Sequence, residues 1–174
     1  MSETAFLQLL SINQGIIHKI CNVYGHNLAD RDDLFQEIVF HAWKGYPSFK
    51  GNAKFSTWLY RVALNVALTS FRKKRTSIDY VPELPDFMTD EEDMELKARQ
   101  AFLLEAIKQL AEIDRAIITL YLEELSYQDI ADITGLSPNN IGVKINRIKS
   151  KLQTLLQNGN NWPEIIMADP TQPY

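Results

Sequence analysis

The 174-residue sequence has little of what metal-binding, disulfide-bonded or membrane proteins need. Its one cysteine, Cys21, excludes an intramolecular disulfide and a cysteine-built zinc site, and its three histidines fit no metal-ligand spacing. No apolar run approaches the roughly 18–20 residues of a membrane span, and the first residues lack the basic segment of a secretory signal. We therefore expect a cytoplasmic protein with no cofactor, no metal and no direct membrane insertion.

Basic residues are also too few for a typical nucleic-acid-binding protein, since 18 Lys and Arg stand against 22 Asp and Glu, a net charge of −4. The distribution along the chain reverses that inference. Residues 1–76 carry a net charge of +5, residues 77–100 carry −6, residues 101–157 carry −1 and residues 158–174 carry −2. The total therefore averages over a basic block, an acidic strip, a near-neutral block and an acidic tail.

Every long segment has helical periodicity and none has the alternation of a strand, which predicts an all-α fold. Helices are expected at about 4–23, 30–44, from Ser56 or Thr57 to about 75, from about 94 onward, at 113–124, at 127–134 and at 138–157. Prolines and a run of acids favour a flexible acidic linker over 77–93. The prediction is two small helical domains, 1–76 and 94–157, with a tail of unknown role at 158–174.

The segment 127–141 has the pattern of a helix-turn-helix. A capping-box pattern at Ser126 opens the first helix, and Gly135 ends it because glycine tolerates a positive φ. Ala131 supplies the small residue that two steeply crossing helices need where they approach. Ser137, followed by a proline, then caps the second helix.

The second helix of this pair is basic and free of acids between Ser137 and Gln157. Its asparagines can pair with base edges or phosphates, and its cations with phosphates. The candidate DNA-binding residues are Ser137, Asn139, Asn140, Lys144, Arg147, Lys149 and Lys151. The alternative is an ordinary helical hairpin with a solvated basic face. We favour DNA binding because the motif spacing and the one-sided charge agree.

Aromatic residues alternate with cations and small polar residues over 49–61. Phe49, Phe55, Trp58 and Tyr60 offer faces for unstacked bases, and the neighbouring cations offer phosphate contacts, which suits single-stranded nucleic acid. The alternative places the aromatic side chains in the core and the cations in solvent. Composition alone does not decide between the two.

The order of these features resembles a bacterial RNA polymerase sigma factor of the extracytoplasmic-function (ECF) type, over about residues 5–157. The resemblance implies that the segment Asp33-Leu34-Phe35-Gln36-Glu37 binds the clamp helices of core RNA polymerase. It also implies that the loop and helix over 50–65 recognise and open the minus-ten promoter element, with a base of the non-template strand flipped into a pocket. The residues assigned to that contact are Lys50, Asn52, Lys54, Phe55, Ser56, Thr57, Trp58, Arg61 and Asn65. The helix-turn-helix then contacts the minus-thirty-five element.

The resemblance thus implies a promoter-specificity subunit whose partners are core RNA polymerase, duplex promoter DNA, the non-template single strand and an anti-sigma factor. A stand-alone helix-turn-helix regulator is the alternative, and it predicts tight binding to a palindromic site without polymerase. The aromatic segment argues against that class, since such a regulator needs no strand-binding segment. An enzyme is disfavoured because the sequence has no convergent Ser/His/Asp set, no paired catalytic carboxylates and no glycine-rich phosphate loop.

Overall fold

A computed structural model of the protein describes residues 3–74 and 91–157, and within those ranges the regular structure is entirely helical. In chain order the elements are α1 Glu3–Tyr24, α2 Leu28–Gly45, a short 3-10 turn Tyr46–Ser48, α3 Phe55–Lys74, α4 Glu91–Lys108, α5 Glu112–Leu122, α6 Tyr127–Thr134 and α7 Pro138–Gln157. The all-α prediction is confirmed. Most of the predicted linker and the whole predicted tail lie outside the described residues.

The chain divides into two compact units, the first containing α1–α3 and the second built around α4, α5 and α7 with most of α6. In the first unit each helix buries one apolar stripe against the other two. The core side chains include Phe6, Ile17 and Ile20 of α1, Leu34, Ile38 and Ala42 of α2, and Leu59, Ala63 and Ala67 of α3. Burial of each larger aliphatic side chain contributes about 1.5–3 kcal/mol, so this shared core holds the surfaces of α2 and α3 in fixed positions.

Two helix starts differ from the sequence prediction, and hydrogen bonds in the first turn account for both. The backbone N–H of Asp30 donates to Asn27 Oδ1 at 2.8 Å, so α2 begins at Leu28 rather than at Asp30. In α3 the backbone N–H of Trp58 donates to the carbonyl oxygen of Lys54 at 3.1 Å. Helical bonding therefore starts from Lys54, and the expectation that Ser56 or Thr57 caps α3 is wrong.

The second unit packs the amphipathic α5 and α7 against each other and against α4. Its fully buried side chains include Ile117, Ile118 and Leu120 of α5, Ile130 of α6, and Ile141, Ile145 and Leu152 of α7. Leu96 of α4 is 53% exposed, so it lies outside this core. At the end of α7, Leu156 is buried and Leu155 is half-buried.

The end of α5 is a Schellman motif that the sequence pattern did not reveal. The N–H of Leu125 donates to the carbonyl of Leu120 at 3.3 Å, and the N–H of Glu124 donates to the carbonyl of Tyr121 at 3.0 Å. Glu124 adopts φ 59°, the left-handed conformation that glycine usually supplies at this position. The helix therefore stops at Leu122, two residues before the predicted end.

Candidate polymerase and nucleic-acid interfaces

The five residues predicted to bind polymerase lie on two sides of α2. Leu34 is buried with Ile38 in the core of the first unit, so its side chain presents no surface to a partner. Asp33, Gln36 and Glu37 are exposed. Phe35 is half-buried, with its ring stacked on His18 at 4.7 Å between centroids.

Two aromatic residues that sequence analysis did not single out share the outer side of α2. Phe40 is 59% exposed and Trp43 is 44% exposed, although the edge of the Trp43 ring contacts Phe6 at 5.0 Å between centroids. Both follow Gln36 at helical spacing, four and then three residues apart, so the three side chains form one stripe. The signal in the sequence was the presence of large apolar residues on the side of α2 away from Leu34, Ile38 and Ala42.

The aromatic residues over 46–58 pack on each other as a cluster. Trp58 lies 5.2 Å from Phe49 and 5.3 Å from Phe55 between ring centroids, and Tyr46 contacts all three rings at 6.3–6.5 Å. Phe55 is only 8% exposed and Tyr60 is buried as well. The expectation that these two offer stacking faces is therefore corrected, because their rings are used in packing. Phe49 and Trp58 are half-buried and keep part of their surface open.

The polar residues predicted to contact the minus-ten element lie mostly on the surface of the same unit. Lys50, Asn52 and Lys54 are exposed in the loop between the 3-10 turn and α3, and Gly51 takes φ +72° at its tip. Further along α3, Arg61 and Asn65 are exposed, whereas Ser56 and Thr57 are half-buried. The loop thus carries its cations and amide outward beside the half-buried rings of Phe49 and Trp58.

The two helices, the turn glycine and the capping contacts predicted for the helix-turn-helix are present. The Ser126 hydroxyl accepts from the N–H of Asp129 at 3.1 Å and donates to Asp129 Oδ2 at 2.6 Å, so the carboxylate binds the hydroxyl. Gly135 has φ +77°, as its place after α6 requires. Ser137 Oγ accepts from the N–H of Asn140 at 3.3 Å and caps α7, whose first residue is Pro138.

The outer side of α7 divides the candidate DNA-binding residues into two groups. Ser137, Asn139, Asn140, Arg147 and Lys151 are exposed. Lys144 and Lys149 are half-buried because α5 engages both of them. Lys144 Nζ donates to Asp114 Oδ1 at 3.0 Å, and Lys149 Nζ donates to the Tyr121 hydroxyl at 2.9 Å while lying 4.6 Å from the centre of that ring. Among the described residues, no ion pair involves Arg147 or Lys151.

At Gly142 the backbone of α7 lies near the first helix of the motif. A β-carbon at Gly142 would lie 3.4 Å from Cε2 of Tyr127, so the aromatic ring of α6 covers the backbone of α7 at that point. The next residue, Val143, is 50% exposed on the side of α7 away from the core. Sequence reasoning did not assign Val143 to the site, whereas Asn146 is one of the asparagines expected to pair with base edges or phosphates.

Within residues 3–74 and 91–157, no group of three or more His, Cys, Asp or Glu side chains is arranged to hold a metal ion. In the same residues no helix combines the length and the apolar character needed to cross a membrane. The one cysteine, Cys21, is buried, and burial raises the pKa of its thiol to about 12.

Comparisons with known proteins agree in both halves of the chain. The family profile of sigma-70 region 2 matches residues 9–77, and that of sigma-70 region 4 matches residues 97–152. The ECF RNA polymerase sigma-E factor of Haemophilus influenzae is 31% identical over 142 residues, covering 74% of this chain and 75% of its own. The ECF sigma factor SigW of Bacillus subtilis is 27% identical over 169 residues, covering 89% of this chain and 90% of its own.

Solved structures share the fold. The sigma factor RpoE of Bartonella quintana, solved in complex with the anti-sigma factor NepR, superimposes with a TM-score of 0.72 at 22% identity and covers 90% of this chain and 99% of its own. CnrH, solved in complex with the cytosolic domain of CnrY, superimposes with a TM-score of 0.68. At this level of identity the likeness establishes the helical architecture.

Proposed function

Because the chain belongs to the ECF group of RNA polymerase sigma factors, we propose that its first unit binds core polymerase and opens the minus-ten element while its second unit binds the minus-thirty-five element. The family assignment itself carries the general function: the chain binds core RNA polymerase and directs transcription initiation at promoters. The division of that work among residues is the content of the proposal. It assigns no catalytic residue to the chain, and it places the protein with the polymerase in the cytoplasm.

The proposed polymerase surface is the outer side of α2. Asp33, Gln36 and Glu37 supply polar contacts, and Phe40 and Trp43 extend the same side with exposed apolar area. An aromatic side chain that is desolvated at the centre of an interface commonly costs 2 kcal/mol or more when it is truncated. Phe40, the more exposed of the two, is the best candidate for such an anchor.

A binding measurement with purified core polymerase tests this surface. Phe40→Ala is expected to weaken core binding about tenfold or more. Ile12→Ala is the matched control, because Ile12 is an apolar residue that is 81% exposed on α1 and is outside the proposed surface. Its core affinity should stay within about twofold of the parent chain. Equal affinities of the two variants for core polymerase would show that Phe40 is not part of the interface.

The proposed minus-ten surface combines the loop over 50–54 with the open faces of Phe49 and Trp58. Exposed Lys50, Lys54 and Arg61 supply phosphate contacts, and the half-buried rings supply a wall against which an extruded base stacks. Phe55 packs against the rings of Phe49 and Trp58 and supports both of them. Under this proposal Trp58→Ala reduces open-complex formation, and measurement of its thermal unfolding separates that loss from general destabilisation.

The single observation that carries the proposal for the second unit is the outer side of α7. It belongs to a correctly capped helix-turn-helix, it holds exposed amides and cations, and it contains no acid from Ser137 to Gln157. Arg147 and Lys151 point outward, whereas Lys144 and Lys149 also brace α7 against α5. Arg147 and Lys151 are therefore the cations whose expected role is DNA binding only, and Arg147 is the one that we test.

Run-off transcription with core polymerase is the decisive experiment. The chain should start transcription on some of the promoter fragments of its genome, and core enzyme alone should start on none of them. On such a promoter Arg147→Ala should lower initiation about fivefold to a hundredfold, the range of one lost base or phosphate contact. Scrambling the minus-thirty-five element is the control, since it should lower initiation by the parent chain and add little to the defect of the variant.

Two outcomes contradict the proposal. If core polymerase with this chain starts on no genomic fragment, the assignment of promoter-directed initiation fails. If the chain alone shifts a palindromic duplex tightly in a gel, the stand-alone regulator is favoured instead. Weak binding of duplex DNA by the free chain is expected, because its net charge of −4 opposes phosphate binding.

An anti-sigma factor is the remaining proposed partner. The support is by likeness: the sigma factor RpoE of Bartonella quintana was solved in complex with the anti-sigma factor NepR. Co-purification of this chain with the product of a neighbouring gene, followed by loss of run-off transcription when that product is added, is the expected result. Unchanged transcription with every neighbouring product would contradict this part of the proposal.

A further inference from the structure

Val143 is the large apolar residue on the outer side of α7, and it is surrounded there by polar side chains. It is 50% exposed, while Asn139, Asn146 and Arg147 beside it are exposed as well. At about 100° per residue, Val143 points roughly 180° away from the midpoint of the buried Ile141 and Ile145. The valine therefore stands at the centre of the side that faces outward, in the first half of the helix.

Along the chain, contacts with α6 and with α5 lie on either side of Val143. Gly142, the preceding residue, approaches the Tyr127 ring of α6 closely enough that a β-carbon would lie 3.4 Å from it. Lys144, the following residue, forms an ion pair with Asp114 of α5 at 3.0 Å. Valine has a single preferred rotamer in a helix, so its two methyl groups are presented in a nearly fixed direction. A rigid apolar group on a helix that enters DNA is suited to reading a base.

The chemistry of the base edges indicates which base Val143 contacts. The C5-methyl group of thymine is the apolar feature in the major-groove edges of the bases, and aliphatic side chains recognise it by contact. Asn139 lies about one turn before Val143 and Asn146 about one turn after it, and an asparagine side chain can bind N6 and N7 of adenine. We propose that Val143 is a specificity-determining residue that contacts the C5-methyl group of a thymine in the upstream promoter element, an inference that rests on the proposed function of the second unit.

Replacing thymine by deoxyuridine tests the contact, because this change removes the methyl group and nothing else. The upstream element is first selected from a randomised duplex library by polymerase carrying the parent chain. Each thymine of that element is then replaced singly by deoxyuridine, and the affinity of the holoenzyme is measured by competition. One replacement should weaken binding about fourfold, the equivalent of one buried methyl group.

The same scan with Val143→Ala should show no loss at that thymine. Alanine is a better helix former than valine, so α7 stays folded and a lost methyl effect cannot come from unfolding. Val143→Ile is the matched control: it keeps the apolar contact and should keep the sensitivity to deoxyuridine. The proposal is overturned if the selected element has no thymine, if no replacement matters, or if Val143→Ala responds as the parent chain does.

The library selection tests the proposed function of the second unit, and the deoxyuridine scan tests the role of Val143. If the holoenzyme selects no upstream element from the library, both the assignment of the second unit and this inference are refuted. If an element is selected and the deoxyuridine scan is flat, only the role of Val143 is refuted.

Discussion

Gly135 and Gly142 belong to the same helix-turn-helix, and we expect their replacement by alanine to change stability in opposite directions. Gly135 has φ +77°, and a β-carbon built there meets nothing within 4 Å. The penalty for alanine is therefore backbone strain alone, about 1–2 kcal/mol in the left-handed region. The lower entropy of the unfolded chain returns about 0.4–1 kcal/mol. Gly135→Ala should lower the free energy of unfolding by about 1 kcal/mol.

Gly142 lies inside α7, where glycine costs about 1 kcal/mol relative to alanine. A β-carbon there would lie 3.4 Å from Cε2 and 3.8 Å from Cδ2 of Tyr127, at the near edge of ordinary van der Waals contact. The added methyl group fits and gains a little apolar contact with the ring. Gly142→Ala should therefore raise the free energy of unfolding by about 1 kcal/mol, so the two variants should differ by about 2 kcal/mol.

Native-state hydrogen exchange of the full-length chain measures this difference locally, because it reports the free energy of opening for individual amides. The free energy of opening measured at the buried residues Ile145 and Ile148 of α7 should rise with Gly142→Ala and fall with Gly135→Ala. Gly51→Ala, at φ +72° in the first unit, is the control that should leave them unchanged. A lower free energy of opening with Gly142→Ala, or an unchanged one with Gly135→Ala, would refute this reasoning.

Three further predictions follow from the local structure. Glu124→Gly should stabilise the second unit by about 1 kcal/mol in a urea titration followed by circular dichroism, because glycine removes the strain at φ 59°. Asn27→Ala should destabilise the first unit by about 1 kcal/mol in the same assay, since it removes the cap of α2. With a thiol pKa raised to about 12, Cys21 should react with iodoacetamide at pH 8 about a hundredfold more slowly in the native chain than in urea. The same shift means that the contribution of Cys21 to stability is complete below pH 9 and is lost as the pH rises toward 12.

The features that sequence predicted best are those that depend on neighbouring residues. The bounds of α6 and α7, the cap at Ser126 and the positive φ of Gly135 all match the prediction, because each rests on chemistry within a few residues. The end of α5 was not predicted, because Glu124 is not a residue type that favours the left-handed conformation. That conformation accompanies the two hydrogen bonds that close the helix at the carbonyls of Leu120 and Tyr121.

The candidate sites were predicted as stretches of sequence, and packing then divided each stretch. Leu34 lies in the predicted polymerase segment, yet the period of the helix turns it into the core. Phe55 and Trp58 were both offered as stacking faces, and their mutual contact at 5.3 Å leaves Trp58 the more open of the two. A pattern of residue types does not predict the burial of Leu34 or the different exposure of Phe55 and Trp58, because burial depends on which other helix is adjacent.

Local sequence by itself determined that this chain is helical, that it carries a helix-turn-helix, and that its second helix is free of acids, because periodicity, capping and charge are written along the chain. The tertiary structure decided which cations of that helix remain available. Asp114 and Tyr121, about 30 residues earlier, engage Lys144 and Lys149 and leave Arg147, Lys151 and Val143 facing outward. Such pairings join residues distant in sequence, and only the packing of α5 on α7 brings them within hydrogen-bond distance.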